Sequence, residues 1–155
     1  MINASQIQAT VPAGASTGLI TVEKNSCSGT SATNFTVLST CTLNLKAFIQ
    51  GFYQGSQTMV EIVAPGKTDT ITVQLRSSIS PYGIVYSATG VLSTSGNISL
   101  TYPGAAIGNS YYLAVRHRNS IETWSKNPVL MSGTTTFDFT VPGVLRPAIN
   151  PTINE

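Results

Sequence analysis

In the run Thr70-Ile71-Thr72-Val73-Gln74-Leu75-Arg76, apolar and polar residues alternate without a break. A period of two commits such a stretch to a β-strand, with Ile71, Val73 and Leu75 on one face and Thr and Gln on a wet face. Asn97-Ile98-Ser99-Leu100-Thr101-Tyr102 does the same, its even positions pointing inward, and Ser95-Gly96-Asn97 before it reads as a tight hairpin turn. Strand signals recur about every 8–12 residues between Gly, Pro, Asn and Ser, a spacing that suggests a sandwich or barrel. The expected strands are 6–10, 18–23, 34–38, 42–50, 70–76, 83–86, 97–102, 110–118 and 135–140, with a short one through 59–63. Helical periodicity is almost absent.

Three strands before Ser39 are too few for a core of their own. After Cys41, roughly seven strands in about 100 residues match the size of an immunoglobulin-like sandwich. The expected organisation is a partial β segment over 1–40, a β-sandwich over 41–140, and a tail or linker over 141–155 carrying Pro142, Pro147 and Pro151. Apolar residues are 41% of the 155, enough for a real core, whereas charged residues are only 9%, against roughly 25% in ordinary domains. The hydroxyl and amide surface that results is common in secreted β-proteins. Net charge is +2 and only Arg116 and Arg118 lie close together, so the basic stripe that nucleic acid requires is missing. No run reaches the ~20 apolar residues of a membrane span. Residues 1–6 have no signal-peptide character; for an exported protein, the signal is expected upstream in a longer parent.

Gln6-Ile7-Gln8-Ala9-Thr10-Val11-Pro12-Ala13-Gly14-Ala15-Ser16-Thr17-Gly18-Leu19-Ile20-Thr21-Val22, followed by Ala32-Thr33-Asn34-Phe35-Thr36-Val37, resembles the second half of an IPT/TIG domain. That family is immunoglobulin-like and occurs in tandem in extracellular proteins. The first half of such a domain is missing, which implies a fragment or strands that dock elsewhere. Leu43-Asn44-Leu45-Lys46-Ala47-Phe48-Ile49-Gln50-Gly51-Phe52-Tyr53 and Ser110-Tyr111-Tyr112-Leu113-Ala114-Val115-Arg116-His117-Arg118-Asn119 look like the C-terminal β-sandwich of large secreted proteins of Bacteroidetes-type bacteria. This resemblance implies a surface or secreted setting and no defined activity. The calcium repeat D-x-N-x-D-G that often follows in such proteins is absent, so that calcium role is not carried over. The second stretch also resembles the penultimate strand of fibronectin type III and immunoglobulin folds, which implies a structural role for Tyr111 as a corner tyrosine bonded to nearby backbone.

Little points to catalysis. Glu23, Glu61, Asp69, Glu122, Asp138 and Glu155 are scattered, and His117 is the only histidine. There is no nucleophile elbow, no zinc spacing and no phosphate-cradling loop. No enzyme, cofactor or metal is expected. His117 reads either as a half-buried strand residue or as a ligand contact. Tyr112, Arg116 and Arg118 share the opposite face, either solvated or a binding strip for sugars, carboxylates or proteins. Trp124, the only tryptophan, is either a core or loop anchor or, with Tyr112, Tyr82, Tyr86 and Tyr53, part of a sugar-stacking surface. Asp69-Thr70-Ile71 resembles a short O-glycosylation acceptor pattern of those bacteria. A Cys27–Cys41 bridge would close a loop of about 15 residues and contribute roughly 3 kcal/mol. Strand geometry places the two sites too far apart for the ~7 Å that a disulfide tolerates, so Cys27 is expected as a loop thiol.

The sequence therefore leads us to expect a non-catalytic structural or adhesive module of a modular extracellular or cell-surface protein. The alternative is a carbohydrate-binding module of a secreted polysaccharide-degrading enzyme. The partners expected are neighbouring domains of a longer chain or a polysaccharide or cell-surface glycan, without nucleic acid.

Overall fold

A computed structural model describes residues 7–11, 15–37 and 39–145. The protein is all-β, its strands joined mostly in antiparallel pairs. It divides into two compact units, Met1–Leu38 and Ser39–Glu155.

In the first unit, β1 (Thr21–Lys24) and β2 (Cys27–Thr30) form an antiparallel hairpin. Asn25 and Ser26 between them both have positive φ, 49° and 66°, which is the signature of a two-residue type I′ turn whose twist matches the flanking strands. Cys27 is thus an exposed strand residue opposite Lys24, not the loop thiol expected from the sequence. Gly18 and Phe35 meet in an isolated bridge, so the expected strand over 34–38 shrinks to a single contact among its described residues. Residues 7–10 form no strand, and Gln6 lies outside the described residues. Ile7, Ile20, Val22 and Phe35 are all exposed.

The second unit contains β3 (Thr40–Lys46), β4 (Tyr53–Gly55), β5 (Thr58–Met59), β6 (Lys67–Ser77), β7 (Ile84–Ser93), β8 (Asn97–Pro103), β9 (Ser110–Arg116), β10 (Thr123–Trp124), β11 (Val129–Leu130) and β12 (Thr134–Asp138). One sheet has the order β12-β3-β8, with β12 parallel to β3; a larger one has the order β10-β9-β6-β7, with β11 also on β9. Register follows the apolar phase. Leu43 faces Leu100 and Leu45 faces Ile98 across β3 and β8, while Leu75 faces Leu113 across β6 and β9. Inward side chains of both sheets, Cys41, Leu43, Leu45, Ile71, Val73, Leu75, Leu92, Leu100, Tyr102 and Leu113 among them, form one buried cluster. Each fully buried aliphatic of this kind contributes about 1.5–3 kcal/mol relative to exposure.

Polar contacts tie the sheets together. The Tyr102 hydroxyl on β8 donates to the Val73 carbonyl on β6 at 2.9 Å. Burial pushes its phenol above the usual range. Tyr111, expected to be the hydroxyl anchored to backbone, is indeed buried, with its ring 6.0 Å from Tyr86. Among the described residues, however, the buried tyrosine whose hydroxyl meets a backbone carbonyl is Tyr102. The β7–β8 turn needs its glycine: Gly96 has φ +80°, and a Cβ there would lie 2.7 Å from the Ala47 carbonyl and from the Phe48 ring.

The expected wet face of β6 is only partly wet, since Gln74 is 5% exposed. Arg76, two residues further on, lies against the Trp124 ring, so an aromatic cover displaces water from this end of the sheet. The tail is not featureless either. Leu145 bridges Ser125, and the Val144 carbonyl accepts the Lys126 amide; Pro147 and Pro151 lie outside the described residues. Both cysteines are free, with Cys41 buried. Among the described residues, no helix is long and apolar enough to cross a membrane.

Candidate functional site

The outward face of β9 presents Tyr112, Ala114 and Arg116. Tyr112 stands opposite Arg76 on β6, and Trp124 on β10 stands opposite Ala114. This register gathers residues far apart in sequence. The Tyr112 and Trp124 rings are 6.0 Å apart, and Tyr82, from the β6–β7 loop, lies 5.7 Å from Tyr112 and 6.4 Å from Trp124. The Arg76 guanidinium carbon sits 5.0 Å from the Trp124 ring centroid, an attractive placement of a cation on a π face.

Glu122 organises the charges. Its Oε1 accepts the Trp124 indole N–H at 2.6 Å and lies 3.5 Å from Arg76, while its Oε2 accepts Arg116 Nε at 2.9 Å. Ser125 fixes the short β10 segment to the sheet. It is fully buried, its Oγ accepts the Leu113 amide at 3.0 Å, and its own amide donates to the Leu113 carbonyl. Among the described residues, the Gln74 Oε1 and Arg76 Nε atoms beside this cluster are buried without a hydrogen-bond partner.

A second polar cluster lies at the end of β9. Asp69 is buried beneath Arg118 and His117. Its Oδ2 lies 2.8 Å from Arg118 and 3.2 Å from His117 Nε2, and its Oδ1 accepts the Thr70 amide at 2.7 Å. The Thr70 amide first, and then the His117 hydrogen bond, hold the Asp69 carboxyl below the usual carboxylate range. His117 Nδ1 accepts the Asn119 amide, so in its neutral form the proton sits on Nε2 and points at Asp69. The Phe52 ring packs against the imidazole in a T-shaped arrangement, with centroids 5.5 Å apart. Asp69, Thr70, Thr72, Arg116, His117 and Arg118 line an open cleft of about 380 Å³.

The structure therefore splits the expected strip of Tyr112, Arg116 and Arg118, and brings Trp124, the other candidate binding residue, to one part of it. Tyr112, Trp124 and Arg116 come together, whereas Arg118 lies past the end of β9 and turns to Asp69. Tyr86 packs on Tyr111 and Tyr53 on Phe48, so neither joins the aromatic group. Arg76, Glu122, Asp69 and Ser125 were missed as site residues, whereas Tyr82, expected beside Trp124 in a stacking surface, does join the aromatic group. The acidic members seemed scattered because only strand register brings them to their partners. Thr70, in the expected acceptor pattern, is an exposed residue of the central strand β6, next to the paired Asp69. Among the described residues, no three His, Cys, Asp or Glu side chains are grouped to hold a metal ion. No protein-family model, curated protein or solved structure matches this chain.

Proposed function

We propose that the chain is a non-catalytic structural or adhesive module of a modular extracellular protein, built as an immunoglobulin-like sandwich over the second unit with an IPT/TIG-like segment before it. The observation that carries this reading is the mutual pairing of the charged groups in the two clusters. Arg76 and Arg116 share Glu122, and Arg118 and His117 share Asp69. Both ring nitrogens of His117 are committed, so the imidazole has no free lone pair with which to activate a nucleophile, as general-base catalysis requires. Such networks rigidify a scaffold. The low-charge, hydroxyl-rich composition supports an exported setting.

The second reading, carbohydrate binding, is favoured by one observation, the gathering of Tyr82, Tyr112 and Trp124. Against it, Tyr82 stands at 86° to both other rings, and Tyr112 and Trp124 are tilted by 49°. A flat platform for pyranose stacking needs coplanar exposed faces, and these rings are packed into one another.

Protease treatment of intact cells of the source organism, read with an antibody against residues 39–145, tests the extracellular assignment. Loss of the signal from intact cells is the expected result. Full protection until the cells are lysed, together with a cytosolic marker, overturns it.

A further inference from the structure

We propose that β7 is a self-pairing edge, through which two copies of this chain join their larger sheets antiparallel about a two-fold axis. β7 is the outer strand of the order β10-β9-β6-β7, and among the described residues its ladder partner is β6 alone. One side of a ten-residue strand therefore presents backbone N–H and C=O groups with no sheet partner, which is a template for another strand. Charge and proline, two of the usual protections, are missing, and the bulges of the β6–β7 ladder fall only at its two ends, one of them at Val85. Ile84-Val85-Tyr86-Ser87-Ala88-Thr89-Gly90-Val91-Leu92-Ser93 contains no charge and no proline, and its pairing with β6 runs without a register shift from Val91 to Tyr86. The other outer strands are poorer templates: β10 and β11 have two residues each, β12 carries Asp138, and β8 ends in Pro103.

The sequence of the edge identifies a second copy as the occupant. Antiparallel pairing centred on Ala88 places Val85 opposite Val91, Tyr86 opposite Gly90 and Ser87 opposite Thr89, each pair occurring twice. The outer face then pairs β-branched with β-branched and hydroxyl with hydroxyl. Val85 and Val91 are 44% and 39% exposed in the single chain, so their pairing covers apolar surface that is otherwise wet. On the inner face an aromatic side chain meets a glycine. With no charge on either edge, no like-charge contact opposes the match, and the interface is isologous as a two-fold requires.

Sedimentation velocity on the full chain under reducing conditions, over a concentration series, tests this, with reduction excluding bridges through the exposed Cys27. A concentration-dependent dimer is expected. Ser87→Lys and Thr89→Lys lie on the exposed outer face and each should weaken the dimer about tenfold, because a cross-strand penalty acts twice across the axis. The double variant Ser87→Lys/Thr89→Glu sets opposite charges face to face and should recover most of the loss. Circular dichroism of each variant establishes that the monomer still folds. A monomer at every concentration overturns the proposal. So does a dimer indifferent to both lysines, or a double variant no tighter than Ser87→Lys alone.

Discussion

Replacing Tyr102 by Phe removes one oxygen from the place where the two sheets are joined. The ring is 2% exposed and its hydroxyl donates to the Val73 carbonyl at 2.9 Å. A neutral buried hydrogen bond contributes about 0.5–1.5 kcal/mol net, and a buried acceptor left short of a donor adds to the loss. The expected cost is about 1–2 kcal/mol. For a unit of this size, about 4 °C of melting temperature corresponds to each kcal/mol, so the variant should melt about 4–8 °C lower. Trp124 lies in the same unit and its fluorescence reports that unit's unfolding. Tyr111→Phe is the control: that ring is buried to a similar degree without the cross-sheet bond, and the variant should melt close to the parent. The pH profile adds a second readout. Burial raises the Tyr102 phenol above its ordinary value of 10, so its contribution is complete below pH 10 and is lost as pH rises from there toward the folded value. Tyr102→Phe should flatten this part of the alkaline limb. If Tyr102→Phe melts with the parent, or Tyr111→Phe costs as much, the assignment of the joining hydroxyl is wrong.

Three further outcomes follow from the polar clusters and the thiols. Asp69→Asn should destabilise the second unit at neutral pH more than Arg118→Ala in urea titrations, because Asp69 is buried and Arg118 is mostly exposed. The carboxyl is depressed below its ordinary 3.8, so its contribution is present above that pH and disappears as pH falls through the folded value; Asp69→Asn should blunt that acid limb. In the native protein, one thiol, Cys27, should react promptly with a thiol reagent, and Cys41, 1% exposed and with its ionisation disfavoured by burial, should react only after denaturation. Glu122→Gln should shift the emission of Trp124, whose indole N–H it holds, and loosen Arg116, with little effect on overall stability because the group is partly exposed.

Alternation carried much of the fold. The inward phase of 97–102, and of Ile71, Val73 and Leu75, could be read directly because one side of each of those strands is buried. β7 was expected to stop at Tyr86 yet runs to Ser93, since Ala88 and Gly90 are too small to show a hydrophobic period. Their smallness has a packing cause: a Cβ on Gly90 would come within 3.0 Å of Ile98 and Leu100. β2 was invisible for a different reason. Cys27-Ser28-Gly29-Thr30 buries nothing, and its pairing rests on backbone and on the turn at Asn25–Ser26. The outward pair of Tyr112 and Arg116 was legible from strand phase, whereas for Trp124 the sequence left open a core or loop anchor and a stacking surface. Arg76 and Glu122 were not legible, because strand register, which no local pattern encodes, brings them to it. Arg118 broke from the expected strip because β9 ends at Arg116, and phase has no meaning past a strand end.

The emission of Trp124 during titration with a panel of soluble polysaccharides tests the non-catalytic structural role against its rival most directly. The indole is the only one in the chain and is packed against Tyr82, Tyr112 and Arg76, so a sugar entering this face must disturb it. A module that uses this face for structure leaves spectrum and intensity unchanged across the panel, which is the result the account predicts. A saturable shift with one glycan, abolished by Tyr112→Ala in a folded variant, contradicts the structural role and makes this face a carbohydrate site.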